Sequence, residues 1–210
     1  NSSLRASQWA ASPARDQLVL ADGLLMPFES ASFDFVLCSG VLEHIGVSEY
    51  RLGDRYVVQA LPQRDDERLR FWNELARVVR PGGTIWIDFP NGGFPVDFWH
   101  GDQPGQARWH RLDEGFLPRP REVRSLFAKD MRARALSPAG RFGFNQVGAH
   151  WYGKMLRLPA QALLKAMTWP GLGLLAESPI NPFLVYEVTL PDARAGNIDR
   201  GPGGVIDGRG

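Results

Sequence analysis

The stretch that decides the fold is residues 20–45, which read Leu-Ala-Asp-Gly-Leu-Leu-Met-Pro-Phe-Glu-Ser-Ala-Ser-Phe-Asp-Phe-Val-Leu-Cys-Ser-Gly-Val-Leu-Glu-His-Ile. Two apolar segments here run into polar residues: Gln17–Ala21 ends at Asp22, and Phe33–Cys38 ends at Ser39. Both are short enough to be strands, and the second is apolar enough to be buried on both faces. Ligands of open α/β sheets collect outside the carboxyl ends of strands. The stretch therefore predicts two strand ends at a ligand-binding edge.

A helix and a third strand follow in the order of a βαβ unit. Asp66–Arg80 is predicted to be helical because its apolar side chains share one face. They are Phe71, Leu75, Val78 and Val79. Pro81-Gly82-Gly83 ends this helix, and Thr84–Phe89 follows as a strand. Such a unit implies a parallel sheet, so the fold class is α/β.

The remaining chain predicts one domain over residues 1–192 and a disordered tail over residues 193–210, which are rich in Gly, Asp and Arg. Residues 46–65 are predicted to be a polar connection. Residues 90–117 form a long loop rich in Gly, Pro, Trp and His, and loops of this length inside a domain are usually functional. The later elements are a helix Arg119–Lys129, a strand Met131–Leu136, an apolar helical insertion 151–176 interrupted by Pro159 and Pro170, and a strand Phe183–Leu190.

Composition excludes several classes of function. The formal net charge of +1 lacks the basic excess of a nucleic-acid-binding protein. The one cysteine, Cys38, rules out an internal disulfide framework and a cysteine-based zinc site. Residues 1–15 lack the pattern of a signal peptide, and no apolar run reaches the roughly 20 residues of a membrane span. We therefore expect a cytoplasmic protein.

Three ordered motifs carry a resemblance to a known family. They are Asp22-Gly-Leu-Leu-Met-Pro-Phe28, then Ser32-Phe-Asp-Phe-Val-Leu-Cys-Ser-Gly-Val-Leu-Glu-His-Ile45, then Phe71-Trp-Asn-Glu-Leu-Ala-Arg-Val-Val-Arg-Pro-Gly-Gly-Thr-Ile-Trp-Ile87. Together they resemble the class I S-adenosylmethionine-dependent methyltransferases, most closely the small-molecule and lipid group. The clear resemblance covers residues 17–91, and the order of the motifs makes it specific.

The resemblance implies a Rossmann-like sheet, mostly parallel, with an antiparallel late strand. Gln17–Ala21, Phe33–Cys38 and Thr84–Phe89 would be its third, fourth and fifth strands, and Phe183–Leu190 its reversed last one. The family's first two strands, with a glycine-rich loop that holds the methionine part of the cofactor, have no counterpart before Gln17. We therefore expect a chain truncated at its N-terminus, which by itself is inactive.

The resemblance also implies a binding site for S-adenosylmethionine. Its residues are Asp22, Gly23 and Leu24 beside the adenine, and Cys38, Ser39 and Gly40 beside the methyl group. Asp22 would accept a hydrogen bond from the adenine amino group, and backbone groups of Gly23 and Leu24 would contact the ring edge. A structural alternative stays open for each part: Asp-Gly also forms plain turns, and Cys38 also suits a small buried position.

Candidate catalytic residues are His44, Asp88 and His100. A histidine accepts a proton near neutral pH, and Asp88 is an unusual residue inside an apolar strand. Asn91, Trp99 and His100 follow the fifth strand and are candidate substrate residues. Structural roles are an equal alternative: shaping of the site by Glu43-His44, and loop packing by the aromatic pairs. No spacing of His, Asp and Glu predicts a metal site.

No sequence motif identifies the methyl acceptor. The aromatic loop 90–117 favours a small molecule or a glycan, and it weakly resembles methyltransferases encoded among bacterial glycan-assembly enzymes. Residues 151–176, with Lys154, Arg157 and Lys165, suit either contact of a membrane surface with a lipid-linked acceptor or packing on the sheet. A methyltransferase-like module that binds a partner without catalysis is the third hypothesis. The oligomeric state is not predicted.

Overall fold

A computed structural model describes residues 19–103, 106–140, 151–167, 169 and 172–192, without the side chains of residues 140 and 151–157. The predicted tail 193–210 lies outside the described residues. Within them the chain forms, in order, β1 Phe33–Ser39, β2 Val47–Leu52, β3 Arg55–Ala60, α1 Arg64–Val78, β4 Val79–Pro90, β5 Val96–Asp97, β6 Arg108–Trp109, α2 Pro120–Leu126, β7 Arg132–Ala135, α3 Trp151–Ala166 and β8 Phe183–Thr189. Short 3₁₀ turns occur at Leu42–His44, Pro138–Gly140 and Gly173–Glu177.

The central sheet has the strand order β1-β4-β8-β7. β1 and β4 pair in parallel, and β8 is antiparallel to both β4 and β7. Three strands of this sheet therefore run in one direction and β8, the last described strand, is reversed, which confirms the predicted α/β class and its antiparallel late strand. Within the described residues, β1 is one edge of this sheet and β7 is the other.

The predicted strand Gln17–Ala21 is wrong over the part that can be compared. Residues 17 and 18 lie outside the described chain, and residues 19–21 are in no strand. Val19 and Leu20 are 53% and 84% exposed. A strand needs a partner for its backbone groups. Among the described residues none pairs with β1 on that side. Residues 19–21 therefore lie outside the sheet, and Asp22 and Leu25 form an isolated bridge in the turn that follows.

β1 is also not buried on both of its faces. Val36 and Cys38 point toward the core, whereas Phe35 and Leu37 are 48% and 52% exposed on the opposite face. The sequence predicted full burial from apolarity alone. The described chain places no helix over this second face beside β1, so its apolar side chains remain in contact with solvent.

Helix α1 begins and ends two residues earlier than predicted. Its buried face is Arg68, Phe71, Trp72, Leu75 and Val78, which packs against the sheet. β4 starts at Val79, and Pro81-Gly82-Gly83 lies inside the strand rather than before it. The parallel ladder jumps there, from the pair Phe33–Val79 to the pair Phe35–Thr84. Pro81 has no N–H to donate and Gly82 has a φ of 75°, so these residues form an irregularity in β4.

Two clusters of apolar residues hold the sheet, one on each face. The larger packs α1 and α2 against Cys38, Ile85, Ile87, Phe89, Leu184, Tyr186 and Val188. The smaller packs Leu164 and Met167, at the end of α3, against Phe183 and Val185 of β8. β8 therefore contributes alternate residues to both clusters, as expected for a strand covered on both sides.

A β-hairpin occupies most of the predicted polar connection 46–65. Strands β2 and β3 pair from Val47–Ala60 to Leu52–Arg55, joined by the two-residue turn Gly53-Asp54. Gly53 has a φ of 62°, which a two-residue hairpin turn favours at its first position. The turn signal was present in the sequence, but the charged residues around it obscured the strands.

The late elements agree in kind with the prediction and differ in extent. α2 ends at Leu126 rather than Lys129, β7 covers Arg132–Ala135, and β8 is confirmed at Phe183–Thr189. Helix α3 continues through Pro159 instead of being interrupted there. Proline removes one backbone hydrogen bond from a helix. The second half of α3 is nevertheless held in place because Leu164 and Met167 are buried against β8.

The exposed face of β1 predicts self-association. An apolar strand at the edge of a sheet is a template for pairing with another chain. We expect Phe35→Thr combined with Leu37→Thr to raise the protein concentration at which light scattering detects aggregates. Leu69→Gln is the matched control, because Leu69 is 43% exposed but lies on α1. Equal aggregation of the double variant and the wild type would contradict this prediction.

Candidate active site

A polar cavity of about 420 Å³ lies at the carboxyl ends of β1 and β4. We call it the histidine pocket. It is lined by Ser39, Gly40, Glu43, His44, Asp88, Pro90, Trp99, His100 and Phe183. The pocket brings together all three candidate catalytic residues, His44, Asp88 and His100, from the segments that follow β1 and β4. These residues lie close together because β1 and β4 are parallel, so the segments that follow both strands begin at the same end of the sheet.

Ser39 and Asp88 form the floor of the pocket. They are opposite each other in the β1–β4 ladder, and the Ser39 hydroxyl donates a 2.7 Å hydrogen bond to Asp88 Oδ1. The N–H of Gly40 donates to the backbone carbonyl of Asp88 at 2.9 Å. Gly40 has a φ of 62°, which lets the chain turn sharply out of β1 toward Glu43 and His44.

His44 is oriented by the β2–β3 hairpin. Its Nδ1 lies 2.5 Å from Glu49 Oε1, and the hydroxyl of Tyr56 donates to the other oxygen of Glu49 at 2.5 Å. Burial would raise the pKa of Glu49, but the hydrogen bonds from His44 and Tyr56 hold this pKa below its usual value. Glu49 therefore remains a carboxylate that fixes the His44 ring.

His100 is oriented in the same way by Asp97. Its Nδ1 lies 3.0 Å from both carboxylate oxygens of Asp97, which is fully buried. Burial would raise the pKa of Asp97, but the hydrogen bond from His100, the backbone N–H of Trp99 and the charge of Arg108 keep it low. Arg108 in turn donates to Asp97 at 3.3 Å and to Glu114 at 2.7 Å. Asp97, Arg108 and Glu114 therefore join separate parts of the predicted substrate loop 90–117.

Glu43 and Asp88 are the two buried carboxylates of the pocket. The Glu43 side chain is 2% exposed, and its Oε2 has no hydrogen-bond partner. Burial raises the pKa of this carboxyl group. Arg68 fixes the surrounding backbone by donating to the carbonyls of Ile45, Glu43 and Phe116. Burial lowers the pKa of Arg68 to about 10, which still leaves it charged near neutral pH.

The two histidine rings and Glu43 form one cluster. The ring centroids of His44 and His100 are 5.2 Å apart, and both rings pack edge-on against Phe116. Glu43, His44 and His100 each offer one ligand atom within 4.8 Å of the others, a spacing that can hold a metal ion. The sequence predicted no metal site, because His100 reaches this cluster only through the fold.

Two predicted substrate residues have different environments. Trp99 lines the pocket, with its ring centroid 4.9 Å from that of Phe183. Asn91 does not line it: its amide donates to the carbonyls of Ser178 and Asn181 and accepts from the N–H of Gly93. Asn91 therefore joins the loop after β4 to the segment before β8.

The predicted adenine residues form a tight turn before β1. Asp22 Oδ1 accepts the N–H of Leu24 at 2.9 Å, so that N–H is already engaged within the turn. The Asp22 side chain remains exposed. A Cβ on Gly23 would lie 2.9 Å from the Phe71 ring, so glycine allows the turn to pack directly on α1. Leu24 packs against the larger apolar cluster.

An apolar groove of about 570 Å³ runs along β1 beside this turn. Its lining is Met26, Phe28, Phe33, Phe35, Val36, Leu37, Cys38, Ser39, Val41, Phe71, Leu75 and Val78. Ser39 lines both the groove and the histidine pocket. Burial, with smaller effects from Glu43 and Asp88, raises the pKa of the Cys38 thiol to about 12, so Cys38 is a neutral, small part of the groove floor.

Glu74 and Arg77 of α1 anchor the loop between Asp22 and β1. Glu74 accepts the N–H of Met26 at 2.9 Å, and Arg77 donates to the carbonyls of Met26 and Phe28. Arg77 also forms two hydrogen bonds of 2.8 Å with Glu74. The position of Met26 and Phe28 in the groove therefore depends on a pair of helix residues.

Sequence reasoning missed the residues that orient the histidines. Glu49 and Tyr56 belong to the unpredicted hairpin, and Asp97 lies in the two-residue strand β5, where the sequence predicted a loop without clear periodicity. The Gly53-Asp54 turn between residues of high strand propensity was the available signal for the hairpin. Asp97 lies three residues before His100, but nothing in the sequence marks it as fully buried.

The fold and the pocket define a class of protein: an open α/β domain with its ligand cavity at the carboxyl ends of parallel strands. A family model described as a methyltransferase domain matches residues 2–87. The matched residues include all three of the motifs that resemble methyltransferases. No match to the chain is found among curated proteins. No helix within the described chain is both long and apolar enough to span a membrane.

The chain is also similar to solved structures. The cyclase SpnF is 17% identical with a TM-score of 0.40, over 87% of this chain and 62% of its own. Haemonchus contortus phosphoethanolamine N-methyltransferase 2, solved with phosphomonomethylethanolamine and S-adenosylhomocysteine, is 13% identical with a TM-score of 0.39, over 85% of this chain and 40% of its own. An S-adenosylmethionine-dependent methyltransferase from Mesorhizobium loti is 12% identical with a TM-score of 0.43, over 90% and 76%. The chain thus spans less than two thirds of the first two.

The anchor of the groove loop predicts a pH dependence. The hydrogen bonds from Arg77 and Met26 lower the pKa of Glu74 to about 2, against about 4.3 for an unperturbed glutamate. A depressed carboxyl pKa stabilises the anchored loop above pH ~4.3, and this contribution is lost as the pH falls through the folded value. We expect the Glu74 carboxyl carbon and the Met26 amide to titrate together near pH 2 in NMR spectra. Arg77→Met should move both toward the ordinary value, and an unchanged midpoint would contradict the prediction.

Proposed function

We propose that the protein containing this chain transfers a methyl group from S-adenosylmethionine to a small-molecule or glycan acceptor bound in the histidine pocket. One observation carries the proposal: residues predicted from separate stretches of the sequence line a single cavity of about 420 Å³. This pocket shares Ser39 with the apolar groove. Adjoining cavities suit a reaction between two bound molecules, because the reacting atoms must be held close and in line.

The apolar groove fits the adenosyl part of the cofactor. Met26 and Phe28 offer half-buried apolar surface, and the exposed Asp22 carboxylate would accept a hydrogen bond from the adenine amino group. Cys38 and Ser39 would lie beside the methyl-bearing end. The cofactor, when bound, supplies a methyl group already activated on a sulfonium. The residues of this chain would then orient the two reactants and exclude water.

The histidine pocket fits an acceptor with both an apolar side and hydroxyl or amine groups. Trp99 and Phe183 form an aromatic wall, and Asp88, His44 and His100 form a polar wall. Aromatic faces suit a ring such as that of a saccharide, and the polar wall suits its hydroxyl groups. His44 and His100, oriented by Glu49 and Asp97, would accept the proton that such a group releases. Asn91 is not proposed to bind the acceptor, because its amide is hydrogen-bonded to backbone groups.

The cofactor proposal predicts a specific loss of affinity in Asp22→Ala. Calorimetric titration with S-adenosylmethionine, on this chain and on any longer product of the same gene, is the test. Removal of one hydrogen bond to a charged partner should weaken binding about tenfold or more.

Asp54→Ala is the matched control, because Asp54 is also an exposed aspartate next to a glycine in a turn. It should leave the affinity unchanged. If the longer product does not bind the cofactor, or binds it equally after Asp22→Ala, the methyltransferase proposal fails and a non-catalytic binding module takes its place.

A lipid-linked acceptor is a second candidate, favoured by the outer side of α3. Leu158 and Leu163 are 75% and 53% exposed, while Leu164 and Met167 face the sheet. Leu174 and Trp169, which follow α3, are 89% and 62% exposed, and Lys165 is exposed among them. Apolar residues with a nearby cation are typical of helices that lie in a membrane interface.

The membrane proposal predicts that Leu158→Glu combined with Leu163→Glu abolishes binding to vesicles. A leucine buried in an apolar phase contributes about 2 kcal/mol, so loss of both leucines should weaken partitioning by about 100-fold or more. Flotation with vesicles that contain an anionic lipid is the measurement, and Leu69→Glu on α1 is the control. No flotation of the wild type, or equal flotation of all three proteins, would exclude a membrane-bound acceptor site on this helix.

A further inference from the structure

We propose that Glu43, His44 and His100 bind a divalent transition-metal ion in the histidine pocket. Each side chain offers one ligand atom, and the three atoms lie within 4.8 Å of one another. Bonds of about 2.0–2.2 Å from nitrogen or oxygen to an ion such as Zn²⁺ would require the three atoms to approach by on the order of 1 Å. Glu43 would supply most of this movement, because its Oε2 forms no hydrogen bond, whereas Glu49 and Asp97 hold the two histidine rings. Binding of the ion is testable without the cofactor, whereas its role toward an acceptor rests on the proposed function.

A buried carboxylate oxygen of Glu43 that forms no hydrogen bond is the first observation behind the proposal. The Glu43 side chain is 2% exposed, and its Oε2 has no hydrogen-bond partner. A buried ionised carboxylate is costly unless it is paired or coordinates a metal. His44 and His100 are the titratable groups closest to Glu43 in the pocket, and both are already engaged by carboxylates of their own. A cation between them would supply the partner that Glu43 lacks.

The arrangement of carboxylates behind the histidines is the second observation. Glu49 binds Nδ1 of His44, and Asp97 binds Nδ1 of His100. Metal-binding histidines almost always give their other ring nitrogen to such a partner, which fixes the tautomer and increases the basicity of the ligand. Nε2 is then the coordinating nitrogen of each ring. Tyr56 and Arg108 hold the two carboxylates in turn, so the orientation of both rings is built into the fold.

The ligand types define the class of ion. Two imidazoles and one carboxylate suit Zn²⁺, Fe²⁺ or Co²⁺ better than Mg²⁺ or Ca²⁺, which prefer oxygen ligands alone. Three protein ligands leave at least one coordination position open. In this pocket that position would accept a hydroxyl oxygen of an acceptor and lower its pKa by direct coordination. With an ion bound, His44 and His100 would act as ligands rather than as proton acceptors.

The test uses the full chain, first stripped of metal with a chelator. Titration with Co²⁺, followed by visible absorption, and with Zn²⁺, followed by calorimetry, should show stoichiometric binding. Glu43→Gln and His100→Gln should each weaken binding by about 100-fold or more. Glu49→Gln and Asp97→Asn, which keep all three ligands, should each weaken it by about 10–100-fold.

His110→Gln is the matched control, because His110 lies in the same loop but binds the backbone carbonyls of Phe94 and Arg111. It should bind Co²⁺ like the wild type. Glu43→Gln should also be at least as stable as the wild type without metal, since it removes an unpaired buried charge. The proposal is overturned if the wild type shows neither a Co²⁺ spectrum nor a rise in unfolding temperature with Zn²⁺, or if Glu43→Gln and His110→Gln bind metal equally.

Discussion

The parallel pairing of β1 with β4 is the constraint on which the candidate site depends. Its register sets Ser39 opposite Asp88, so both strands end at the same level of the sheet. Two segments follow these strands, one with Glu43 and His44 and the other with Trp99 and His100. Both segments therefore begin at the same end of the sheet. An antiparallel pairing would place them at opposite ends. The chemistry of the pocket is thus a consequence of strand direction and register.

Buried charges hold those two segments in place. Arg68 reaches from α1 to the carbonyls of Glu43, Ile45 and Phe116, which joins the turn after β1 to the end of the loop after β4. Asp97 and Arg108 play the equivalent part within that loop. Buried ionic groups contribute little net stability compared with apolar residues of the same size. Removing one partner is costly, however, because the other is left without its hydrogen bonds. These interactions therefore define one arrangement of the loops more than they increase the free energy of unfolding.

The sequence predicted the parts of the fold that carry regular patterns. The helix α1, the strands β1, β4 and β8 and the reversed direction of β8 follow from periodicity, from the Pro-Gly-Gly signal and from the family resemblance. Boundaries near Pro81 were wrong, because a bulge lets the strand begin before the glycines. Full burial of β1 was also wrong, since burial depends on which neighbours cover each face. Apolarity of a segment reveals only that it can be buried.

The candidate site was predicted in its members but not in its arrangement. His44, Asp88 and His100 were identified singly, from their places after strands. The long-range relation is between the segment of His44 and the segment of His100, which meet only because β1 and β4 pair in parallel. Their orienting partners are local, with Glu49 five residues after His44 and Asp97 three residues before His100, but these spacings match no sequence motif.

The pairing of each histidine with a carboxylate has a chemical consequence beyond position. Nδ1 of each ring contacts a carboxylate, and one ring nitrogen of each histidine lies within 4.8 Å of a Glu43 carboxylate oxygen. Three electron-pair donors facing one another repel unless a proton or a cation lies between them. A proton satisfies one pair at a time, whereas a divalent ion satisfies all three together. The same geometry that would let a single histidine accept a proton from an acceptor therefore favours, for the cluster as a whole, a bound cation.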